Sequence, residues 1–243
     1  MHEEKWKLYF SNPEDKDKPG VLGIYKDEFK VPANWKIKLK TRHDYPYSFE
    51  YNLAHENYNS SLVLSERNCF LAIEAPSSKN IGGFFELTDQ YEISHFIKLN
   101  ASDEYGEDYY PFWEDKKTEK ANTLKFGKGE VDFLTYEWPH KKEADPKVIC
   151  EMVDKVYNTG TDKIIAVSCR AGAGRSATFI AAYMLLDEVK NQISQGIKLE
   201  DLDINVDKIV WSILVQRPYA IAFCEQYVNL YRIVDYYLSS LIS

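Results

Sequence analysis

The sequence predicts an α/β (α+β) fold, a central twisted mixed β-sheet flanked by helices on both faces. Three observations carry that expectation. Short β-branched or aromatic runs interleave along the chain with segments of helical period. One such interleaving, residues 164–190, is an apolar run, a loop with two glycines and a long helical stretch, as expected of a strand that feeds a helix. Hydrophobic residues make up 44% of the 243 and aromatics 14%, enough to fill a substantial core. The length admits one large domain or two small ones. No repeat, low-complexity tract or linker divides it, so residues 1–243 are read as a single domain.

The elements follow in order. Residues 1–20 are polar and carry Pro13, Pro19 and Gly20, which predicts a loose N-terminal arm or a short helix. Residues 21–60 are mixed and rich in aromatics. Residues 61–64 and 70–73 read as short strands around a turn at 65–68. A helix over 81–91 and a strand over 93–99 come next. Residues 101–129 are acidic, then rich in lysine and glycine, with little periodicity, and predict a long surface loop or a clipped hairpin. Residues 131–136 alternate like a strand. Val148, Ile149, Met152, Val153 and Val156 give 146–158 a helical stripe. After the strand at 164–167 a helix is expected over 177–190, and two closing helices over 206–214 and 225–241.

Composition bounds the function. A net charge of −8 argues against a general nucleic-acid binder. An anionic ligand would have to be drawn by a local positive pocket, because the overall field repels it. Cys69, Cys150, Cys169 and Cys224 form no CxxC pair and no zinc spacing, which predicts free thiols, a reducing compartment and no bound metal. Residues 1–20 lack an apolar leader segment, and no window approaches the eighteen or so apolar residues of a membrane span.

The chemistry concentrates in Cys169-Arg170-Ala171-Gly172-Ala173-Gly174-Arg175-Ser176. A strand, a glycine loop and a helix N-terminus form a concave row of backbone N–H groups, suited to phosphate or another oxyanion. A cysteine at the base of that cup is favoured as thiolate by the amides, the helix dipole and Arg175. The planar fork of the arginine matches two phosphate oxygens. Together they suit a nucleophile that attacks phosphorus and carries the phosphoryl group as a thiophosphate.

Beyond this loop the chain resembles the cysteine-dependent protein tyrosine phosphatases over most of residues 35–240. Tyr58-Asn59-Ser60-Ser61-Leu62-Val63 resembles their "YINASLI" strand, and Phe70-Leu71-Ala72-Ile73-Glu74-Ala75-Pro76 resembles "YIATQGP". Ile81-Gly82-Gly83-Phe84-Phe85 is similar to "TIGDFW". Residues 133–140, Phe-Leu-Thr-Tyr-Glu-Trp-Pro-His, resemble the run that enters the family's mobile acid loop. Gln216-Arg217 and Glu225-Gln226-Tyr227 resemble its glutamine-loop region and last helix. Arg170-Ala171-Gly172 is similar to the loop of secreted bacterial effector phosphatases.

The resemblance implies roles. Cys169 is the nucleophile, Arg175 binds the phosphoryl group and stabilises the transition state, and the backbone of Arg170, Ala171, Gly172, Ala173 and Gly174 cradles the same oxygens. Ser176 helps the thiolate leave, and Trp138 anchors the acid loop. No cofactor or metal is implied, since arginine and amides supply the electrostatics. The partner is a phosphotyrosine protein or peptide, taken by a monomer in the cytoplasm, another reducing compartment or, for a secreted effector, a host cytosol.

The chain also departs from the pattern. His140 stands where the family has its acidic aspartate. A histidine donates a proton near neutral pH, and Glu143 and Asp145 lie a few residues on, so the acid is His140, Asp145, Glu143 or absent. Ser168 replaces the usual histidine before the nucleophile. The glutamine that positions the hydrolytic water falls on Ala222, with Gln226 matching a second one nearby. Lys40-Thr41-Arg42-His43 replaces the substrate-recognition run, leaving His43, or Tyr45 with a slip, as the clamping ring. Glu114 is the candidate for the glutamate that fixes the arginine. Three readings follow: an active phosphatase with a shifted acid, a phosphotyrosine-binding pseudophosphatase, and a phosphoinositide phosphatase for which Arg170 supplies the extra cation.

Overall fold

The computed structural model of the chain describes residues 37–38, 48–49, 53–100, 109–127, 129–140, 142–158, 163–217 and 219–242. The N-terminal arm and the recognition run with His43 lie outside them. The strands are β1 (Ile37–Lys38), β2 (Ser48–Phe49), β3 (Leu53–His55), β4 (Tyr58–Leu64), β5 (Cys69–Glu74), β6 (Ile93–Lys98), β7 (Thr123–Phe126), β8 (Gly129–Thr135) and β9 (Ile164–Cys169). The helices are α1 (Ile81–Gln90), α2 (Phe112–Lys116), α3 (Pro146–Asn158), α4 (Gly174–Ser194), α5 (Val206–Leu214) and α6 (Cys224–Ser240).

Strands β3 to β9 form one mixed sheet in the order β3-β4-β5-β9-β6-β8-β7. Its centre is parallel: β9 lies between β5 and β6, and β6 pairs with β8. Its edges are antiparallel hairpins, β3 with β4 and β7 with β8. The strand that carries Cys169 is therefore central, and its C-terminal end opens between two parallel neighbours, where such sheets bind ligands.

Side-chain alternation along these strands feeds two cores. Phe70, Ala72, Ile97, Ile165 and Val167 pack against α3, α4, α5 and α6. Leu71, Ile73, Phe96 and Ala166 face the opposite way, toward Phe84 and Leu87 of α1 and Phe112 of α2. Helices thus cover both faces, as the alternation of elements predicts. On the second face Phe84, Phe96, Phe112 and Phe126 form a cluster with ring centroids 4.7–6.3 Å apart, in tilted and edge-on arrangements that suit aromatic quadrupoles. The middle of α4, from Ala177 to Leu186, is buried on every side, which explains its all-round apolar sequence.

The expected elements at 61–64, 70–73, 81–91, 93–99, 131–136, 146–158 and 206–214 are present, most with ends shifted by a residue or more. Two differ more. The expected helix over 177–190 starts at Gly174 and runs to Ser194. Within 101–129, the described part is the short helix α2 followed by β7, which pairs with β8, so the clipped-hairpin alternative describes it better than a loop.

Candidate active site

The loop after β9 is shaped by a contact that only glycine permits. Gly172 has φ +64°, and a Cβ there would lie 2.3 Å from the carbonyl carbon of Ile73 and 2.6 Å from the amide nitrogen of Glu74. The turn therefore presses directly onto the end of β5. Ala75 N–H donates to the Cys169 carbonyl at 2.8 Å, which ties the two strand ends together.

Arg217 holds the outside of this loop. It is fully buried. Its Nε donates to the Gly172 carbonyl at 2.9 Å and its Nη2 to the Ala171 carbonyl at 2.9 Å. Nη1 and Nη2 also donate to Ser61 Oγ and Asn59 Oδ1, each at 3.0 Å. Asn59 Nδ2 adds a second bond to the Ala171 carbonyl at 3.2 Å and one to Glu74 Oε2 at 2.9 Å. The Ala171 and Gly172 carbonyls are thus held on the Arg217 side of the loop, and Gly172 N–H donates to the Cys169 carbonyl at 3.3 Å. Ala173 occupies the N-cap of α4 and its methyl accepts nothing from the first helical turn, the end of a helix that favours negative charge.

Cys169 and Arg175 are both nearly fully buried, 2% and 3% exposed. They stand at the two ends of the loop, Cys169 ending β9 and Arg175 in the first turn of α4. Ser176 follows, with its hydroxyl enclosed and without a hydrogen-bond partner among the described residues. Arg170 and Ala171 form the half-buried part of the loop. Gln226 on α6 is buried against the same loop: a Cβ on Gly174 would meet its Nε2 at 2.9 Å, and its Oε1 accepts no bond from the described residues.

The segment after β8 reaches the cup through Trp138, whose carbonyl accepts from Arg175 Nη1 at 2.6 Å. The indole of Trp138 is fully buried and donates to the Lys142 carbonyl at 2.8 Å, closing a short loop. Exposed His140 sits at its tip and packs edge-on against Phe223, centroids 5.5 Å apart, just before α6. The two carboxylates beyond are engaged elsewhere. Glu143 pairs with Arg232 on α6. Asp145 Oδ1 accepts from Lys147 N–H at 2.9 Å, the N-cap bond of α3. Glu114 lies on α2 and pairs with Lys117 at 2.6 Å.

Sequence reasoning gave no roles to Arg217, Asn59 and Glu74. An arginine in a Gln-Arg-Pro turn carries no periodic sign of burial, and only its resemblance to the glutamine-loop region marked the segment. That segment is strained: Tyr219 and Ile221 have φ of 60° and 53°, which costs a β-branched residue most. Strain held this close to the cup is a common mark of a functional loop.

Known proteins resemble this chain in sequence and in fold. Residues 128–236 match the family model described as protein-tyrosine phosphatase. Tyrosine-protein phosphatase 2 of Schizosaccharomyces pombe is 35% identical over 107 residues, 43% of this chain and 15% of that protein. The tyrosine-protein phosphatase corkscrew of Drosophila virilis is 28% identical over 160 residues, 61% of this chain and 19% of that protein. The chain thus spans less than a fifth of these two relatives. The crystal structure of the Trypanosoma cruzi protein tyrosine phosphatase TcPTP1 superposes with a TM-score of 0.69 at 19% identity, over 90% of this chain and 92% of that one, a likeness of fold.

Proposed function

We propose that this chain is a member of the protein tyrosine phosphatase family, which it resembles in sequence and fold, and that it hydrolyses phosphotyrosine in proteins or peptides through a phosphocysteine intermediate. The observation that carries the reading is the loop from Cys169 to Arg175, its Ala171 and Gly172 carbonyls held by Arg217 and the Cys169 and Arg175 side chains buried at its two ends. The Cys169 thiolate attacks phosphorus as the bond to the tyrosine oxygen breaks. The loop amides and the Arg175 fork bind the equatorial oxygens, where charge spreads in the transition state. An acid protonates the leaving phenolate. Water then attacks the phosphocysteine, the P–S bond breaks, and thiolate and inorganic phosphate result, with Ser176 donating to the departing sulfur.

His140 is the acid in this reading. It stands two residues after the carbonyl that Arg175 grips, whereas Glu143 and Asp145 are held by Arg232 and by the N-terminus of α3. Gln226, packed on the loop, is the group closest in chemistry to a positioner of the hydrolytic water. Free thiols at all four cysteines support a reducing compartment, and no helix among the described residues is long and apolar enough to cross a membrane.

The engagement of both loop carboxylates, with Ala222 where a water-positioning glutamine is expected, favours a second reading: a phosphotyrosine binder with little turnover. The two separate by experiment. Native protein and Cys169→Ser are compared on a phosphotyrosine peptide and on para-nitrophenyl phosphate across roughly pH 5 to 8. Cysteine-dependent hydrolysis of the peptide is the expected result. Hydrolysis of the activated ester alone means a nucleophile without an acid. Peptide binding without hydrolysis of either establishes the binder.

A further inference from the structure

A carboxylate is built into the back of the anion cup. Glu74 ends β5 and is 1% exposed. The parallel register sets it directly opposite Cys169, and residues so paired project from the same side of the sheet, on strands about 5 Å apart. The Gly172 turn presses on its backbone nitrogen, and Tyr58 OH donates to its carbonyl at 2.9 Å. Its Oε2 accepts from Asn59 Nδ2, and Asn59 in turn accepts from Arg217. Glu74 and Arg217 are thus joined through one amide, and the carbonyls of Ala171 and Gly172 hang from the same assembly. In the run that resembles "YIATQGP", Glu74 stands at the glutamine, a neutral group of the same length.

We infer that Glu74 is a positioning residue with two opposed effects: it orients Asn59 and Arg217 beneath the loop, and its buried charge weakens the cup's grip on oxyanions. The inference rests on the reading of the cup as an oxyanion site. The orienting effect needs only an acceptor for Asn59, which a glutamine also offers. The charge acts separately. In a buried, low-dielectric setting it repels a phosphate dianion held a few ångströms away, against the attraction of Arg175 and the amides. Inorganic phosphate is an inhibitor of any such cup, and a built-in repulsion lets it leave.

The test is isothermal titration of sodium tungstate, a stable phosphate mimic, into native protein and Glu74→Gln at low salt near neutral pH. Tungstate is expected to bind the variant about tenfold more tightly, with the thermal midpoint little changed. A purely structural role can only leave affinity alone or weaken it. Glu74→Asn, also neutral and still carrying an amide oxygen to accept from Asn59, is expected to move in the same direction and serves if Glu74→Gln does not fold. Equal or weaker binding by the neutral variants overturns the inference and leaves the cup standing. Absence of tungstate binding by native protein and variants alike overturns the oxyanion reading, and the inference with it.

Discussion

Arg175 concentrates more of the proposed chemistry than any other side chain except Cys169: in the proposed reaction its guanidinium holds the phosphoryl oxygens, and in the structure it grips the Trp138 carbonyl. A lysine keeps the charge and loses the fork. Arg175→Lys is therefore expected to lower kcat/KM for a phosphotyrosine peptide about a thousandfold and to weaken binding as well; unchanged kinetics would remove the assignment of the loop. The acid is a separate question at the same scale. If His140 donates the proton, His140→Ala should cost roughly a hundredfold or more on the peptide, whose leaving group needs that proton, and much less on para-nitrophenyl phosphate. Asp145→Asn keeps a capping oxygen for α3, so it isolates the catalytic question. A peptide-specific loss in that variant instead of His140→Ala would move the acid to Asp145. Asp145→Ala should cost about 1 kcal/mol of stability whatever the acid is, a plain consequence of losing a helix cap and measurable by urea unfolding.

The loop works as an element because three parts of the chain agree on its shape. Gly172 alone fits the space against Ile73 and Glu74, Arg217 holds the carbonyls, and α4 begins with an uncapped turn. Gly172→Ala should therefore be among the most damaging substitutions in the protein. Its methyl would have to displace backbone as well as adopt a left-handed φ, at a cost of roughly 3 kcal/mol or more. Loss of tungstate binding together with a lowered unfolding midpoint is the expected signature; a variant with native affinity would mean the loop is not held as described. This scale also shows what a sequence displays and what it hides. The helices at 146–158 and 206–214 were legible because a one-sided apolar stripe survives into the fold. The glycine turn that sets Cys169 at a strand end and Arg175 in a helix's first turn was legible because strand, turn and helix follow one another in the chain. Arg217 and Asn59 act from 45 and 112 residues away, and local pattern carries no trace of such pairing. α2 was missed because a helix of five residues has too few turns to show a period. The late start of the expected α4 has another cause: Gly174 reads as loop, yet the helix begins there.

At the scale of the whole molecule, the net charge of −8 repels anions, so the proposed site has to draw its ligand through the local assembly just described. The same sheet that aligns this assembly buries a titrating group far from it. His95 on central β6 is 4% exposed, with Nδ1 3.0 Å from Ser94 Oγ and Nε2 3.7 Å from Asp132. Burial pulls its proton affinity below the ordinary histidine value, and Asp132 only partly restores it. Above the unfolded value, about 6.5, the ring is neutral in both states and contributes nothing to the pH dependence. As pH falls below that point, the unfolded chain takes up the proton before the folded one does, so unfolding is favoured and stability declines until the folded value is passed. Glu188 acts in a lower window: Gln192 and Arg67 hold its carboxyl below the usual range, so its stabilisation is present above the unfolded carboxylate value and is lost as pH falls through the folded one. Urea unfolding of native protein should show a lower midpoint at pH 5.5 than at pH 7, and His95→Leu should flatten that part of the curve while leaving the steeper loss near pH 4 in place. A native curve flat from pH 7 to 5.5, or a variant curve that falls as steeply, would show that His95 titrates alike in both states and that the sheet does not bury it as a neutral ring.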